Sequence, residues 1–307
     1  MAAGQGSALG VLVVDKPRGL TSFDVVQRVR RLLRAEKAGH TGTLDPLATG
    51  VLPVCLGEAV KLQQFLTCDD KEYLATVALG AATETADGEG QVIARGDPSA
   101  ITSEAVQGAL SRFLGEIDQI PPMYSAVRVG GRRLHEAARA GETVERVARR
   151  VRIDRLELQG FEPGQDGLVL ARLLVRCSKG TYVRVLATDL GDALGVPAHL
   201  GALRRTVSGS FTLDQAVTLD QASELAHQEP GALQGRLVSC EAALGFLPVL
   251  QLNAIQARDL GHGKQLAWNQ PPPGLLRALD VSGRLLAVCE GVGEEGIRPL
   301  RVFLPAT

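Results

Sequence analysis

Several things are missing from this sequence, and each absence removes a class of protein. No apolar run reaches the roughly 18 residues that a membrane span needs, and the stretch Leu168 to Val175 is interrupted by Arg172. Met1 to Gly10 lacks the basic segment and apolar stretch of a signal peptide. Cysteine is sparse: Cys55, Cys68, Cys177, Cys240 and Cys289 are odd in number and contain no CxxC. That pattern fits reduced thiols in a cytoplasmic protein and not a disulfide framework. The cofactor signatures GxxxxGK with Ser or Thr, GxSxG and HExxH are also absent. His40, His135, His199, His227 and His262 have no metal-ligand spacing among themselves or with the cysteines. No repeat of solenoid or propeller period is present. An enzyme built from this chain is therefore expected to work with side chains alone, with no cofactor and no metal.

The chain has 307 residues, 45% of them hydrophobic. At about 150 residues per domain, two domains are expected, with ordinary cores that need no disulfides. Net charge is −1, from 33 Lys and Arg against 34 Asp and Glu. The average conceals blocks. Lys16 to Lys37 is rich in Lys and Arg, and Arg128 to Arg155 is rich in Arg, while acid gathers at Asp69, Asp70, Glu72, Glu84, Asp87 and Glu89. Segregated charge can build one basic face for phosphates on a neutral protein. It also describes ordinary solvated faces, and the pattern alone leaves both open.

Val11 to Val14 reads as a strand, followed by the turn Lys16-Pro17-Arg18-Gly19. Thr21 or Ser22 then caps a helix with Val25, Val26, Val29, Leu32 and Leu33 on one face and Arg28, Arg31 and Arg34 on the other. Further strands are expected at Val51 to Leu56, Tyr73 to Leu79, Val151 to Leu158 and Leu168 to Cys177. Helices are expected at Ser103 to Leu114, closed by Gly115, and at Val185 to Leu194, stopped by Gly195. Thr218 with Gln221 resembles a capping box for one more helix. From Glu241 onward acids and bases balance, and short alternating runs suggest a small β-rich domain.

The segment from Gly39 to Gly50, GHTGTLDPLATG, is the most unusual. Pro46 biases Asp45 toward extended backbone, and the glycines permit sharp turns and close approach by a ligand. A carboxylate on such a loop, ahead of an apolar run, could serve as nucleophile or base. It could equally cap a turn through its side chain.

GHTGTLDPLATGVLPVCLGEAVKL resembles the catalytic motif of the TruB-type tRNA pseudouridine synthases, relatives of the guide-dependent dyskerin enzymes. Other segments resemble family motifs in the same order: Asp15 to Ser22 the N-terminal motif, Lys71-Glu72-Tyr73 the start of the strand carrying the active-site tyrosine, Pro121 to Ala126 the opening of an RNA-clasping insertion, and Cys177 to Arg184 a later active-site motif. The likeness spans roughly Gly10 to Ala216. It implies a two-domain α+β protein with a mixed, largely antiparallel central sheet. Residues 1–240 would form the catalytic domain, with the insertion at about 121–150. Residues 241–307 resemble a small PUA-type RNA-binding module through Leu252 to Lys264 and Asp280 to Val288.

The same resemblance implies that Asp45 is the catalytic aspartate, Arg184 its arginine partner, and Tyr73 and Tyr182 residues lining the base pocket. His40 and Lys16 resemble RNA-contacting or site-shaping positions, and Arg132 and Arg133 lie in the clasping insertion. Arg128 stands where the family suggests lysine, and His135 where it suggests tyrosine, which affects docking and not chemistry. The implied substrate is the uridine at position 55 of the tRNA T arm, modified in the cytoplasm with no cofactor, no membrane and no obligatory protein partner. The alternatives are a guide-dependent ribosomal RNA synthase and an RNA-folding factor for which catalysis is secondary.

Overall fold

A computed structural model describes residues 8–67, 70–125, 128–129, 132–134, 142 and 144–303, with the backbone alone at 128–129 and 132–133. His135 and Cys68 lie outside the described residues. The expected first strand is β1 (Gly10–Lys16). Thr21 caps the helix Ser22–Leu32: its hydroxyl accepts from the Asp24 N–H, and the Asp24 carboxylate accepts from the Thr21 N–H. Val25, Val26, Val29 and Leu33 bury one stripe of this helix, and Arg28, Arg31 and Arg34 stay in water on the other. Burying each such aliphatic side chain contributes about 1.5–3 kcal/mol.

Strands β2 (Ala38–His40) and β3 (Thr49–Leu56) follow, then β4 (Lys71–Leu79) and the hairpin of β5 (Ala81–Thr83) and β6 (Val92–Arg95). The helix Ser103–Leu110 is shorter than expected, because a 3-10 turn at Ser111–Phe113 ends it. Gly115, at φ +85°, opens the exposed edge strand β7 (Gly115–Gln119), whose charged sequence gave no strand signal. In the Arg-rich segment, β8 (Arg128–Val129) and β9 (Arg132–Arg133) pair as a small hairpin. Strands β10 (Arg149–Pro163) and β11 (Val169–Cys177) are joined at Pro163-Gly164. The helix Val183–Leu194 ends at Gly195 in the left-handed region, φ +74°. Then come β12 (Ala198–Ser208), β13 (Phe211–Thr212) and the helix Leu219–Gln228, opened by the Thr218–Gln221 capping box.

One sheet runs in the order β1-β3-β12-β4-β11-β10-β7, with β2 on β3 and β13 on β12, while the hairpins β5-β6 and β8-β9 stand apart from it. Only the short β3·β12 pairing is parallel, so the sheet is mixed and largely antiparallel as expected. The central strand β12 was not anticipated from sequence. Gly201 and the pair Arg204-Arg205 break its alternation, and register shifts follow Leu200 and Arg205. One face of the sheet packs against the helices over a large apolar core.

At the C-terminal end, β14 (Val249–Gln251), β15 (Gly274–Leu279), β16 (Leu285–Gly291) and β17 (Ile297–Val302) make a separate four-stranded sheet with its own small core. A second core joins the two parts: Val11, Val13, Val51 and Cys55 pack with Leu244, Leu247, Leu285, Val288 and Phe303. Lys61 Nζ also donates to the Val302 carbonyl at 3.1 Å, and Glu241 Oε1 accepts from the Leu285 N–H at 2.9 Å.

Candidate active site

The loop from Thr41 to Ala48 joins β2 to β3 and is held from several sides. Ser22, the first residue of its helix, accepts from the Leu44 N–H at 2.8 Å and donates to the Leu44 carbonyl at 3.0 Å. The Ala48 N–H donates to the Asp45 carbonyl at 3.0 Å, closing a turn with Pro46 in its favoured second position. Gly19 N–H donates to the Pro46 carbonyl from the motif at the end of β1. Asp45 thereby becomes a fixed point on a loop, and its side chain remains about 40% exposed.

Lys16 is fully buried, at 0% exposure. Its Nζ donates to the carbonyls of Pro17 (2.9 Å), Pro46 (3.4 Å) and Ala48 (2.7 Å). Burial pulls its pKa down to about 8, against the opposing pull of Asp45. Of the two roles expected for Lys16, the geometry is that of loop shaping, since the ammonium has no surface to offer RNA. His40 is half-buried. Its Nδ1 accepts from the Gly42 N–H at 3.3 Å, its carbonyl accepts from Gln63 Nε2 at 2.7 Å, and burial lowers its pKa.

Arg184, in the first turn of the helix Val183–Leu194, is 5% exposed. Its Nη2 sits 3.0 Å from Asp45 Oδ2 and also donates to the Tyr124 carbonyl at 2.8 Å. Nη1 donates to the Thr85 carbonyl at 3.1 Å and faces Asp87 Oδ2 at 3.7 Å. Asp87 is itself 5% exposed and is fixed by Thr85 Oγ1 at 2.6 Å and the Glu89 N–H at 3.1 Å. One guanidinium thus faces two carboxylates, and its bonds to the Thr85 and Tyr124 carbonyls hold it beside Asp45. Burial pushes the Asp45 carboxyl up from its ordinary value, while Arg184 pulls it back and Asp87 adds to the rise. An acid tuned in this way titrates nearer to working pH than an exposed one.

Asp45 opens into a cavity of about 280 Å³ lined by Tyr73, Tyr182, Leu203, Arg205, Thr43 and Lys179 among others. Tyr73 is 8% exposed, and burial raises its hydroxyl pKa, so it stands in the cavity wall as a neutral phenol. Across the ladder from Tyr73 lies Arg205, the largest fully buried side chain among the described residues. Its Nε donates to the Val51 carbonyl at 2.7 Å and its Nη2 to the Gly42 carbonyl at 3.1 Å, bracing the loop from below. Gly50 (φ +100°) lets the β3 backbone lie against the Arg205 backbone, where a Cβ would collide with the Arg205 carbonyl.

The structure therefore brings Asp45, Arg184, Tyr73 and Tyr182 into one cavity, and Lys16 and His40 are not among the residues that line it. Arg132 and Arg133 fall on the small hairpin, where the backbone alone is described. Arg205 and Asp87 were missed from sequence. Among the described residues, no cluster of His, Cys, Asp and Glu has the geometry to hold a metal ion. No helix among them is long and apolar enough to cross a membrane.

Residues 30–183 match the family described as TruB family pseudouridylate synthase (N terminal domain). Residues 184–245 match a tRNA pseudouridylate synthase B C-terminal domain, and residues 247–304 match tRNA Pseudouridine synthase II, C terminal. The chain is 48% identical to the tRNA pseudouridine synthase B of Pseudomonas aeruginosa over 300 residues, which covers 97% of this chain and 96% of that one. It is 51% identical to the same enzyme of Ralstonia nicotianae over 257 residues, covering 84% and 80%. Among solved structures, an archaeal box H/ACA Nop10-Cbf5 complex contains a chain that superposes with a TM-score of 0.74 at 26% identity, covering 97% of this chain and 87% of that one.

Proposed function

Because the chain belongs to the TruB family of pseudouridylate synthases, we propose that it isomerises the uridine at position 55 in the T arm of tRNA to pseudouridine. The observation that carries this reading is the ionisable Asp45, held 3.0 Å from Arg184 at the wall of a cavity of a size to admit a base. The reaction breaks the N1–C1′ bond, turns the uracil, and joins C5 to C1′. N1 gains a proton and C5 loses one, so nothing is added to the nucleoside or removed from it. Such a reaction needs a placed carboxylate and an enclosed base, and no redox group or metal.

Asp45 is the reacting carboxylate, and Arg184 keeps it ionised and aimed. Tyr73 and Tyr182 face the uracil. A base must leave its stack to enter this cavity, which costs a few kcal/mol and least in a loop. Stacking on an aromatic wall returns about 1–3 kcal/mol of that. Residues 1–240 act as the catalytic part and 241–307 as an RNA-holding module. The protein works in the cytoplasm without an obligatory protein partner. The tRNA reaction is favoured over a guide-dependent one by the identities, 48% to a tRNA enzyme against 26% to the box H/ACA protein.

The test is incubation of the pure protein with a T-arm stem-loop transcript in the presence of a chelator. Pseudouridine is expected with no second RNA. Loss of product on chelation, with the stem-loop still folded, would overturn the metal-free reading, and an absolute need for another RNA would overturn the stand-alone reading.

The basic hairpin supplies a second expected outcome. Arg132 and Arg133 reach tRNA phosphates, and each phosphate neutralised contributes about −0.7 to −0.9 to the slope of log K against log salt. Replacing both with Ala is expected to weaken tRNA binding and flatten that slope by about one to two units. The measurement is tRNA affinity across a salt series. Unchanged slope and affinity would move the basic footprint to the block Lys16 to Lys37.

A further inference from the structure

The base of the RNA-clasping segment is wired into the catalytic corner. Gln119, the last residue of β7, is 2% exposed. Its Oε1 accepts from the Tyr182 N–H at 2.9 Å, and its Nε2 donates to the Tyr182 carbonyl at 3.3 Å. Tyr182 occupies the cap position of the helix Val183–Leu194, and its own side chain makes no capping bond. The amide of Gln119 therefore grips the backbone where that helix begins, two residues before Arg184.

The other end of the same short segment returns to the same place. The Tyr124 carbonyl accepts from Arg184 Nη2 at 2.8 Å, and the Tyr124 hydroxyl donates to Glu84 Oε1 at 2.7 Å. Arg146 Nη1 donates to the Pro121 carbonyl at 3.1 Å, joining the far side of the segment to its start. Residues 119–124 are thus fastened to Tyr182 at one end and to Arg184 at the other.

We propose that Gln119 is a positioning residue for the isomerisation: its amide locks the Tyr182–Arg184 corner to the base of the RNA-clasping segment and so fixes the guanidinium that aims Asp45. This rests on the pseudouridine synthase reading. Gln119 does not line the cavity, and its amide oxygen and one of its two N–H groups go to the Tyr182 backbone. Its effect passes through Arg184, and a displacement of that guanidinium by a fraction of an ångström weakens its hold on Asp45.

A glutamine that merely supported the fold would change stability when replaced and leave the chemistry alone. A positioning glutamine changes the rate of the chemical step and the ionisation of Asp45. The charged and titratable groups facing Asp45 are Arg184, Asp87, Lys16 and Tyr73. Arg184 favours the carboxylate strongly and is the group that the corner holds.

The experiment measures single-turnover rate against pH, RNA affinity and thermal stability for wild type and Gln119→Met, with a T-arm stem-loop as substrate and well below the unfolding temperature. Expected are a rate lower by about tenfold to a hundredfold, an acid limb moved up by about half a pH unit or more, and RNA affinity within about threefold. Gln119→Asn keeps an amide too short to make both bonds, and it is read in the same way if the Met variant fails to fold. A wild-type rate and acid limb in either folded variant would overturn the proposal, as would loss of RNA affinity with an unchanged chemical step. Failure of the wild-type protein to modify the stem-loop would instead overturn the pseudouridine synthase reading.

Discussion

Asp45→Asn is expected to abolish turnover while tRNA affinity stays within about tenfold, or about 1.4 kcal/mol. The substitution is nearly isosteric. An amide at this position still closes the turn over Pro46, because that turn is made by the Asp45 carbonyl and the Ala48 N–H and not by the side chain. The Ser22 and Lys16 bonds that hold the loop go to backbone and survive as well. Only the negative charge and its nucleophilicity are lost. Substantial residual turnover would mean that Asp45 is not the reacting group.

Arg184→Met is expected to lower the single-turnover rate by at least about a hundredfold, in the range typical of removing a preorganised charge from a reacting centre. The pH dependence carries the sign. Asp45 acts as its carboxylate, so the rate falls as pH drops through its pKa. In the wild type burial has already raised that pKa, so the acid limb is expected above the ordinary carboxylate range. Removing the guanidinium leaves burial and Asp87 unopposed, and the limb moves higher still. Raising the pH should therefore recover part of the lost rate. The buried Asp87 loses its partner at the same time, so thermal unfolding is measured alongside and the assay is run well below it. An acid limb that stays in place would sever the link between Arg184 and Asp45.

That Asp45, Tyr73, Tyr182 and Arg184 share one cavity was legible in the sequence because each lies in a short motif whose neighbours are as distinctive as the residue. The capping pattern at Thr21 and the stripe of Val25, Val26 and Val29 were legible because helix rules are local. Arg205 was not. In Ala198 to Ser208 the pair Arg204-Arg205 reads as surface charge, and the two part company only in three dimensions. Arg204 pairs with Asp15 at 2.7 Å in a partly exposed position, while Arg205 is buried on the carbonyls of Val51 and Gly42. Those acceptors are available only once β12 lies beside β3, more than a hundred residues away in the chain.

Asp87 shows the same limit from the acidic side. Within Glu84 to Glu89 it looked like compensating surface charge, whereas Thr83, Thr85 and Arg184 hold it inside. The depth of Lys16 was equally hidden, because a lysine in a Pro-Gly turn is ordinarily solvated. Here the carbonyls it satisfies belong to the loop that carries Asp45. The local motifs pick out residues that the fold brings to one cavity. The contacts that hold Arg205, Asp87 and Lys16 come from segments distant in the chain.

The most direct measurement maps pseudouridine along one full-length unmodified tRNA transcript after incubation with pure wild-type protein and, in parallel, with Asp45→Asn. Pseudouridine at position 55 is expected with the wild type and none with the variant, while both bind the tRNA. Product at another position, product that survives the loss of the Asp45 carboxylate, or no product from a folded and tRNA-bound wild type would contradict the assignment.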